Sequence, residues 1–468
     1  MTHHHQHVLG AVSAVATAVG LVLQPRLTIG VLGAGLLLAL AFLAPVANLV
    51  LIVLTTAVVP FSVQNQLSDP APVILSDLLL LSALARTVLV IGRTPLTAAQ
   101  RRVLLALALF LVVVTLQFVR GLMAGHDVGT TGFEFRTLFA LSTFVIALPI
   151  LAHERQRSRL LIGLLGTGVV LGLWGVVQWV LKLDFEVSYG VREGISGAPS
   201  GAGQLQGGLY AFPVAVVLAF AVLNSGRLKP GRARSAVLVL LALNVVSLLL
   251  TYERTFWIAA AVGVAFVVWR AGGESRLRAV TRSPLIALGA IGLLLTPWPN
   301  AVVAARERLV TLGDFRNDNS VRYRVAEAQH VFDEIKARPV QGEGLGATVT
   351  WARPWDQVPA RKYHYSHNAY LWLAWKVGVP AAAVLWVVIL YTIGRPRLLA
   401  GDVVFTALRD GAQAALLLLM LANVAFPSFN TYGITAVMGL LLALCVARNR
   451  PPDMAGRSSA GVAATAPI

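Results

Sequence analysis

The sequence predicts an all-α, polytopic membrane protein of roughly 11 to 14 transmembrane helices. Hydrophobic residues make up 57% of its 468 residues and charged residues only 13%. Long apolar runs recur between breaks that contain charge, Pro or Gly, and a run of about 20 apolar residues can cross a bilayer as a helix. The number is a range because the two runs between Leu27 and Val59 could merge or re-enter.

The positions of Lys and Arg predict the orientation, because short loops rich in these residues stay on the cytoplasmic side of the membrane. With about fourteen spans, the strongly basic loops all fall on one face, and both chain termini lie on that face. These loops contain, among others, Arg93, Arg101, Arg102, Arg155, Arg157, Arg159, Arg270, Arg276, Arg395, Arg397 and Arg409. The segment from Pro299 to Ser366 must then lie outside the plasma (inner) membrane.

The net charge of +17 follows mainly from this topology and attracts anionic membrane lipids. No nucleic-acid partner is predicted, because the sequence has no soluble basic domain that could bind one.

The sequence divides into four parts. Residues 1–298 hold the N-terminal transmembrane helices, residues 299–366 form an extracytoplasmic loop domain, residues 367–447 hold the C-terminal transmembrane helices, and residues 448–468 are predicted to be a disordered cytoplasmic tail. The N-terminal segment lacks the features of a secretory signal, so the first span is expected to be an uncleaved anchor. Cys445 is the single cysteine and lies in the last apolar run, so no disulfide holds the loop domain together.

The loop domain contains a predicted amphipathic helix at about residues 320–338. Asn319 or Ser320 can cap it, and Pro339 ends it. Its apolar stripe is expected to be the set that recurs at helical spacing, namely Val321, Val325, Ala328, Phe332 and Ile335.

Arg324 lies about 60° from that stripe, at the predicted boundary between the packed and the solvated surface. Glu327 is one turn later and is expected to orient this arginine. After the helix, Gly342, Gly344 and Gly346 allow tight turns and close approach to a ligand or the bilayer.

The segment RKYHYSHNAYLWLAWKVGVPA, residues 361–381, carries His364 and His367 from a polar, aromatic loop directly into an apolar run. An ionisable group at the membrane edge is a candidate functional residue. Taken by itself, His367 is more simply an interfacial histidine with a hydrogen-bond partner.

Several motifs in this order resemble the O-antigen ligase and polymerase family, whose members transfer lipid-linked glycans outside the bacterial plasma membrane. They are REGISGAPSGAGQLQGG, TYERTFWIA, SVRYRVAE, ARPVQGEGLG and HNAYLWLAWKVGVP, and together they extend over about half of the chain. The resemblance implies a GT-C-like membrane glycosyltransferase in which a helical outer loop closes over a groove between the spans. It also implies a metal-independent, inverting transfer that needs no cofactor.

The resemblance implies specific roles for four residues. His367 matches the family's catalytic histidine and would act as the base, because imidazole exchanges protons near neutral pH. Arg254 and Arg324 match family arginines and would bind the diphosphate, and Arg322 could exchange roles with Arg324. Guanidinium groups suit a diphosphate because they remain charged and donate in bidentate geometry.

Other residues are weaker candidates for substrate binding. Arg192 precedes the Gly-rich loop and could contact sugar or phosphate, although a structural loop arginine is equally consistent. Arg136 is more simply an anchor at the membrane interface. His364 could assist the acceptor or stack among tyrosines, and Glu327 belongs to the same group of candidates. The aromatic residues Trp351, Trp355, Tyr363, Tyr365 and Tyr370 could stack on sugars or form an interfacial belt.

No metal site is predicted, because carboxylates and histidines do not occur at ligand spacing on the outer face. The expected partners are a polyprenyl-diphosphate-linked glycan donor, membrane lipids, and a glycan, lipid or protein acceptor. Polymerisation of a polysaccharide repeat unit by the same chemistry is an open alternative. A transporter or flippase of lipid-linked sugars is the alternative of another class, but it would need repeat symmetry and polar groups near mid-membrane.

Overall fold

The computed structural model describes residues 25–58, 75–181, 191–192, 204–205, 209–226, 228–271, 276, 319–353, 358–397, 402–427, 429 and 431–448. The all-α, polytopic membrane class is confirmed. Within these ranges, five helices are long and apolar enough to cross a bilayer, or up to six if one bent pair forms a single span. The count of 11 to 14 spans includes runs outside the described residues and stays a prediction, as do the first span and the tail after Arg448.

The described helices before residue 182 are α1 (Pro25–Leu43), α2 (Pro45–Val58), α3 (Leu75–Ile91), α4 (Ala98–Met123), α5 (Val128–Phe139), α6 (Thr143–Ala152) and α7 (Glu154–Val180). Between Gly35 and Thr56 the first two bend by 118° at Ala44. Pro45 causes the break, because it lacks an N–H and disfavours helical geometry at the residue before it. Both alternatives for these two runs, one merged span or a re-entrant pair, therefore stay predictions.

Two short strands, Val191–Arg192 (β1) and Gln204–Leu205 (β2), form an antiparallel pair in the Gly-rich loop. The later elements are α8 (Ala211–Asn224), α9 (Arg232–Leu250), α10 (Arg254–Arg270), α11 (Asn319–Ala337), β3 (Val349–Arg353), β4 (Val358–Tyr363), α12 (Ala369–Val377), α13 (Val379–Ile393), α14 (Val403–Ala422) and α15 (Tyr432–Val446).

Helix α14 lies at the centre of the C-terminal half and packs against α8, α10 and α15. Small residues allow the close approach, since a Cβ at Gly411 of α14 would meet Ala221 of α8, and one at Gly263 of α10 would lie 3.4 Å from the Ala414 carbonyl oxygen of α14. The side chains from Ala412 to Ala422 are mostly buried and apolar. This helix therefore gives the bundle a rigid axis with two distinct ends.

The apolar run from Ala369 to Leu390, expected to be one span, is two helices. Gly378 breaks it with a φ of 85°, and Pro380 follows at the start of α13. A Cβ at Gly378 would collide with the carbonyl oxygen of Val340, and the Val379 N–H donates to Pro339 at 2.8 Å. The break lets the loop after α11 pack directly onto the backbone between α12 and α13.

The helix of the loop domain, α11, lies one residue from its predicted bounds at each end. Its buried face, however, differs from the predicted stripe. Val325 and Phe332 are exposed, whereas Glu327, Val331 and Ile335 are buried against α12 and β3. The prediction assumed that the most apolar stripe faces the protein, but here a carboxylate lies at the centre of the packed face.

The glycines after α11 turn the chain as predicted, with φ of 64° at Gly342, 91° at Gly344 and 76° at Gly346. Their close approach is to the protein's own helices. A Cβ at Gly346 would collide with the Thr131 hydroxyl of α5, and one at Gly342 would press on the backbone at Gly378. The loop is thus held between α4, α5 and the α12–α13 break.

A buried ion pair fixes this loop from inside. Lys376 Nζ lies 2.8 Å from Glu134 Oε1, and both side chains are 0% exposed. Each partner makes one further hydrogen bond, since Lys376 also donates to the Ala347 carbonyl at 2.6 Å and Glu134 accepts from the Gly346 N–H at 2.7 Å. The indole of Trp375 lies over the ammonium at 4.2 Å. Such a buried, hydrogen-bonded pair favours one arrangement of the helices and the loop.

Lys376→Met is expected to destabilise the protein by about 3–5 kcal/mol, because it leaves the Glu134 carboxylate buried and unpaired. Thermal unfolding of the purified protein in detergent measures the effect. The double variant Glu134→Gln/Lys376→Met should recover part of the loss.

The matched control is Lys336→Met, which breaks an exposed pair with Asp333 on α11. Exposed pairs contribute little, so its unfolding temperature should stay close to that of the wild type. Equal effects of the two lysine substitutions would contradict the structural role of the buried pair.

Candidate functional site

The candidate site forms where the loop domain meets the start of α12. Strands β3 and β4 form an antiparallel hairpin in which Val349 pairs with Tyr363 and Trp351 with Arg361, with a register shift between Trp351 and Arg353. The sequence analysis predicted no strands here. Because the hairpin returns the chain to α11, the residues immediately after β4 are placed against the buried face of that helix.

His367 and Glu327 form the central contact of the site. His367 Nδ1 lies 3.1 Å from Glu327 Oε2 and 3.2 Å from Oε1, and the His367 backbone N–H donates to Oε2 at 2.8 Å. The Glu327 side chain is 1% exposed, whereas that of His367 is 26% exposed. The carboxylate is therefore enclosed while the imidazole reaches solvent.

The hydrogen bonds around this pair define the orientation of the imidazole. Because an ionised carboxylate only accepts, this contact assigns the proton of a neutral imidazole to Nδ1 and its lone pair to Nε2. The Ser366 hydroxyl donates to Glu327 Oε2 at 3.4 Å and accepts from the Asn368 N–H at 3.2 Å. Asn368 caps α12 by accepting from the N–H groups of Tyr370 and Leu371. The histidine thus directly precedes a well-formed helix start.

Aromatic rings surround the pair; we call Tyr323, Trp351, Tyr363 and Tyr365 the aromatic collar. Tyr323 and Tyr365 meet the His367 ring edge to face, with centroids at 5.6 Å and 5.4 Å. Trp351 contacts Tyr323 at 4.9 Å and Tyr363 at 5.3 Å. The collar residues pack against the elements of the loop domain itself. Trp355, another aromatic residue of this loop, lies outside the described residues.

Arg324 and Arg322 lie on α11 beside this contact. Arg324 is half-buried one turn before Glu327, and Arg322 is exposed. The predicted pairing of Arg324 with Glu327 is wrong, because within the described part of the chain Glu327 is bonded to His367 and Ser366 instead. The spacing of three residues places Arg324 about one helical turn from Glu327 on α11.

Arg254 begins α10 after a tight turn. Tyr252 in that turn is buried and has a φ of 50°, a left-handed conformation that is costly for a tyrosine. Burial raises the pKa of Tyr252 to about 12, so this side chain stays neutral. The surrounding structure thus fixes the turn and the start of α10.

Arg254 and His367 lie at the same end of the bundle. Phe256, two residues after Arg254, contacts Phe426 with ring centroids at 5.0 Å. Ala369, two residues after His367, donates its N–H to the carbonyl of Asn423 at the end of α14, at 2.9 Å. Both functional candidates therefore flank the C-terminal end of one helix.

The remaining candidates lie in different surroundings. Arg192 is in β1 opposite Gln204, and β2 packs against α7 and α9. Arg136 Nε lies 3.0 Å from Asp77 Oδ2, so that guanidinium is engaged within the protein. His364 packs edge to face on Tyr365 at 5.5 Å, and its carbonyl accepts from the Trp372 indole at 3.1 Å. This arrangement favours the stacking alternative for His364.

No group of three or more His, Cys, Asp or Glu side chains suitable for a metal ion occurs among the described residues. The described part of the site offers an oriented imidazole, at His367, and guanidinium groups on α10 and α11.

A comparison with known families shows what this part of the chain resembles. Residues 236–386 match the family model described as O-Antigen ligase. The resemblance to the O-antigen ligase and polymerase family is confirmed. No curated protein matches the sequence.

The O-antigen ligase segment contains most of the candidate site. Arg254, Arg322, Arg324, Glu327 and His367 lie within it, as does His364, whereas Arg136 and Arg192 precede it. The match supports a role as a membrane glycan ligase or polymerase.

Sequence reasoning missed the partnership of Glu327 with His367 and the contribution of Tyr323. A signal was present, because Tyr323, Glu327, Val331 and Ile335 follow one another at a spacing of four and so share a helix face. Ser366 was also missed, and nothing in its sequence context distinguishes it from an ordinary loop serine.

The pH dependence of stability tests the surroundings of His364. Burial and, next, the nearby Lys376 ammonium lower the pKa of His364 from its ordinary value of 6.5, while Asp127 opposes them. As the pH falls below about 6.5, His364 therefore binds a proton in the unfolded chain but not yet in the folded protein. The free energy of unfolding decreases over this range, until the pH reaches the lower pKa that His364 has in the folded protein. His364→Gln should reduce this decrease.

Thermal unfolding at about pH 7.5 and about pH 5.5 measures the difference. A pH dependence unchanged by His364→Gln would contradict the proposed environment of this histidine.

Proposed function

We propose that the protein transfers a polyprenyl-diphosphate-linked glycan to an acceptor hydroxyl at the outer face of the plasma membrane. The observation that carries this proposal is the contact between Glu327 and the Nδ1 atom of His367, within a segment that matches the O-antigen ligase family. A buried carboxylate that orients a partly exposed imidazole is an arrangement suited to general base catalysis.

His367 acts as the base in the proposed reaction. Its Nε2 accepts the proton of the acceptor hydroxyl as the hydroxyl oxygen forms a bond to the anomeric carbon of the donor. The bond from that carbon to the diphosphate oxygen breaks, and the polyprenyl diphosphate leaves with the electron pair. A single displacement of this kind inverts the anomeric configuration. Glu327 keeps Nδ1 protonated and stabilises the imidazolium that forms.

The arginines stabilise the leaving group. The diphosphate gains negative charge as the bond breaks, and fixed guanidinium groups stabilise that charge better in the transition state than in the ground state. Arg254 and Arg324, at the same end of the bundle as His367, are the proposed ligands, and exposed Arg322 is the alternative to Arg324. No metal ion is required, since the guanidinium groups supply the positive charge.

Reconstitution tests the function directly. The purified protein is incorporated into liposomes with a polyprenyl-linked oligosaccharide, and the products are separated by size and by anchor. Movement of the glycan to a different acceptor identifies a ligase, and lengthening of the chains identifies a polymerase. Activity that persists in a metal chelator supports the metal-independent mechanism, and absence of both products contradicts the proposal.

His367→Ala is expected to abolish transfer, and Glu327→Gln to lower the rate by roughly 100-fold or more, because the imidazole loses its orienting carboxylate. The initial rate of product formation in liposomes measures both effects. The matched control is Asp333→Asn on the exposed face of α11, which should transfer at the wild-type rate. Normal transfer by His367→Ala at normal protein level would remove this residue from the mechanism.

Arg254→Lys is expected to lower the transfer rate by roughly 10-fold or more, because an ammonium cannot reproduce the bidentate geometry of a guanidinium. Initial rates at saturating donor separate this effect from weaker binding. Arg338→Lys, at an exposed position paired with Glu343, is the control for loss of a guanidinium in the same segment. Wild-type turnover in Arg254→Lys would exclude Arg254 from the diphosphate site.

A further inference from the structure

The end of α14 opposite the candidate active site holds a cluster of arginines. We call it the basic cluster, and it consists of Arg157, Arg270, Arg395, Arg397 and Arg409. Asp410 is bonded to two of them, with its Oδ1 3.1 Å from Arg270 Nη2 and its Oδ2 3.0 Å from Arg397 Nε. The single negative charge of Asp410 balances only one of these two arginines. The three side chains therefore have a net positive charge, to which Arg409 adds another.

Arg409 is the most deeply buried member of the basic cluster. Its relative exposure is 2%, and its Nη2 donates to the Pro396 carbonyl at 3.3 Å. Its Nε and Nη1 atoms are buried without a hydrogen-bond partner among the described residues. Unpaired N–H groups of a buried cation are costly, so a site of this kind is typically completed by an acceptor.

The Arg395 side chain is half-buried and lies next to Arg409, at the rim of the basic cluster. Its Nε is likewise buried without a partner in the part of the chain that the structure describes. The backbone here is fixed, since the Arg395 carbonyl accepts from Arg270 Nη1 at 3.1 Å and from Gln413 Nε2 at 3.1 Å. Two guanidinium groups with unused N–H donors are therefore present, that of Arg395 on this fixed segment and that of Arg409 on α14.

The chemistry of these donors indicates the occupant. Unused N–H donors on two neighbouring guanidinium groups suit the several acceptor oxygens of a tetrahedral phosphate. The cluster is formed by residues of the basic loops that the sequence places on a single membrane face, and Trp269, at the same end of α10, is exposed as an interfacial tryptophan would be. Basic pockets between helices at headgroup depth suit anionic lipids.

We propose that Arg409, with Arg395 at the rim, binds the phosphate of an anionic phospholipid headgroup. The lipid belongs to the leaflet at the arginine-rich end of the bundle, the end remote from His367. Its phosphate supplies the negative charge that Asp410 alone does not, and so holds α14 against the segment between α13 and α14. This inference does not depend on the proposed glycosyl transfer.

Binding is measured with the full-length protein purified in a zwitterionic detergent. One arm adds phosphatidylglycerol, a second adds phosphatidylcholine, and a third adds inorganic phosphate. Native mass spectrometry counts retained lipid, and thermal unfolding reports stabilisation. We expect retention of phosphatidylglycerol and a higher unfolding temperature in the first arm only. The variant Arg409→Gln should reduce that retention roughly tenfold, because charge-assisted hydrogen bonds are lost.

Two further variants keep the test independent of folding defects. Arg395→Gln, at the half-buried rim, should weaken retention without removing a buried charge from α14. Arg102→Gln removes an equal charge at an exposed position of the same predicted face and should retain lipid as the wild type does. Equal losses in the Arg102 and Arg395 variants, or stabilisation by inorganic phosphate as strong as by the lipid, would overturn the proposal. No stabilisation in any arm would also overturn it.

Discussion

The contact between Glu327 and His367 imposes the strictest requirement on the loop domain. A carboxylate that is almost fully enclosed must be hydrogen-bonded, and here its acceptors are filled by the His367 ring, the His367 backbone N–H and the Ser366 hydroxyl. The segment after β4 can therefore take few other positions without leaving the carboxylate unpaired. The β3–β4 hairpin and the aromatic collar place this segment against α11.

A second anchor acts at the C-terminal end of α11. Pro339 accepts from the Val379 N–H, and the glycine loop beyond it is held by the buried pair of Glu134 and Lys376. The middle of α11 is thus tied to the start of α12, and its C-terminal end to the end of α12. Two such ties fix the rotation of α11, and that rotation decides which residues stand beside the imidazole. This is why Tyr323 of α11 contacts the His367 ring, whereas Arg324 makes no bond to Glu327.

The sequence predicted the bounds of α11 well, because capping residues and proline stops act locally: Pro339 ends the helix wherever the rest of the chain lies. It predicted the buried face incorrectly, because hydrophobic periodicity assumes that apolar residues are the ones covered. The break at Gly378 was also missed, since the apolar run around it has the composition of one span. Both errors have one cause, namely that tertiary contacts of the loop override local preference, and those contacts are not visible in any single segment.

The distribution of polar groups along α14 bears on the alternative of transport. Between Gln413 and Asn423 every residue of the helix is apolar, and the polar side chains that do lie inside the bundle serve packing, as when Asn244 donates to the Gly168 carbonyl of a neighbouring helix at 2.8 Å. A carrier of sugars needs polar contacts at mid-membrane to stabilise its cargo there. Arg409 and Asp410, the ionisable side chains of α14, lie in its N-terminal half, and its C-terminal half is apolar. That distribution agrees with the proposed transfer at one end of the bundle and the proposed lipid contact at the other.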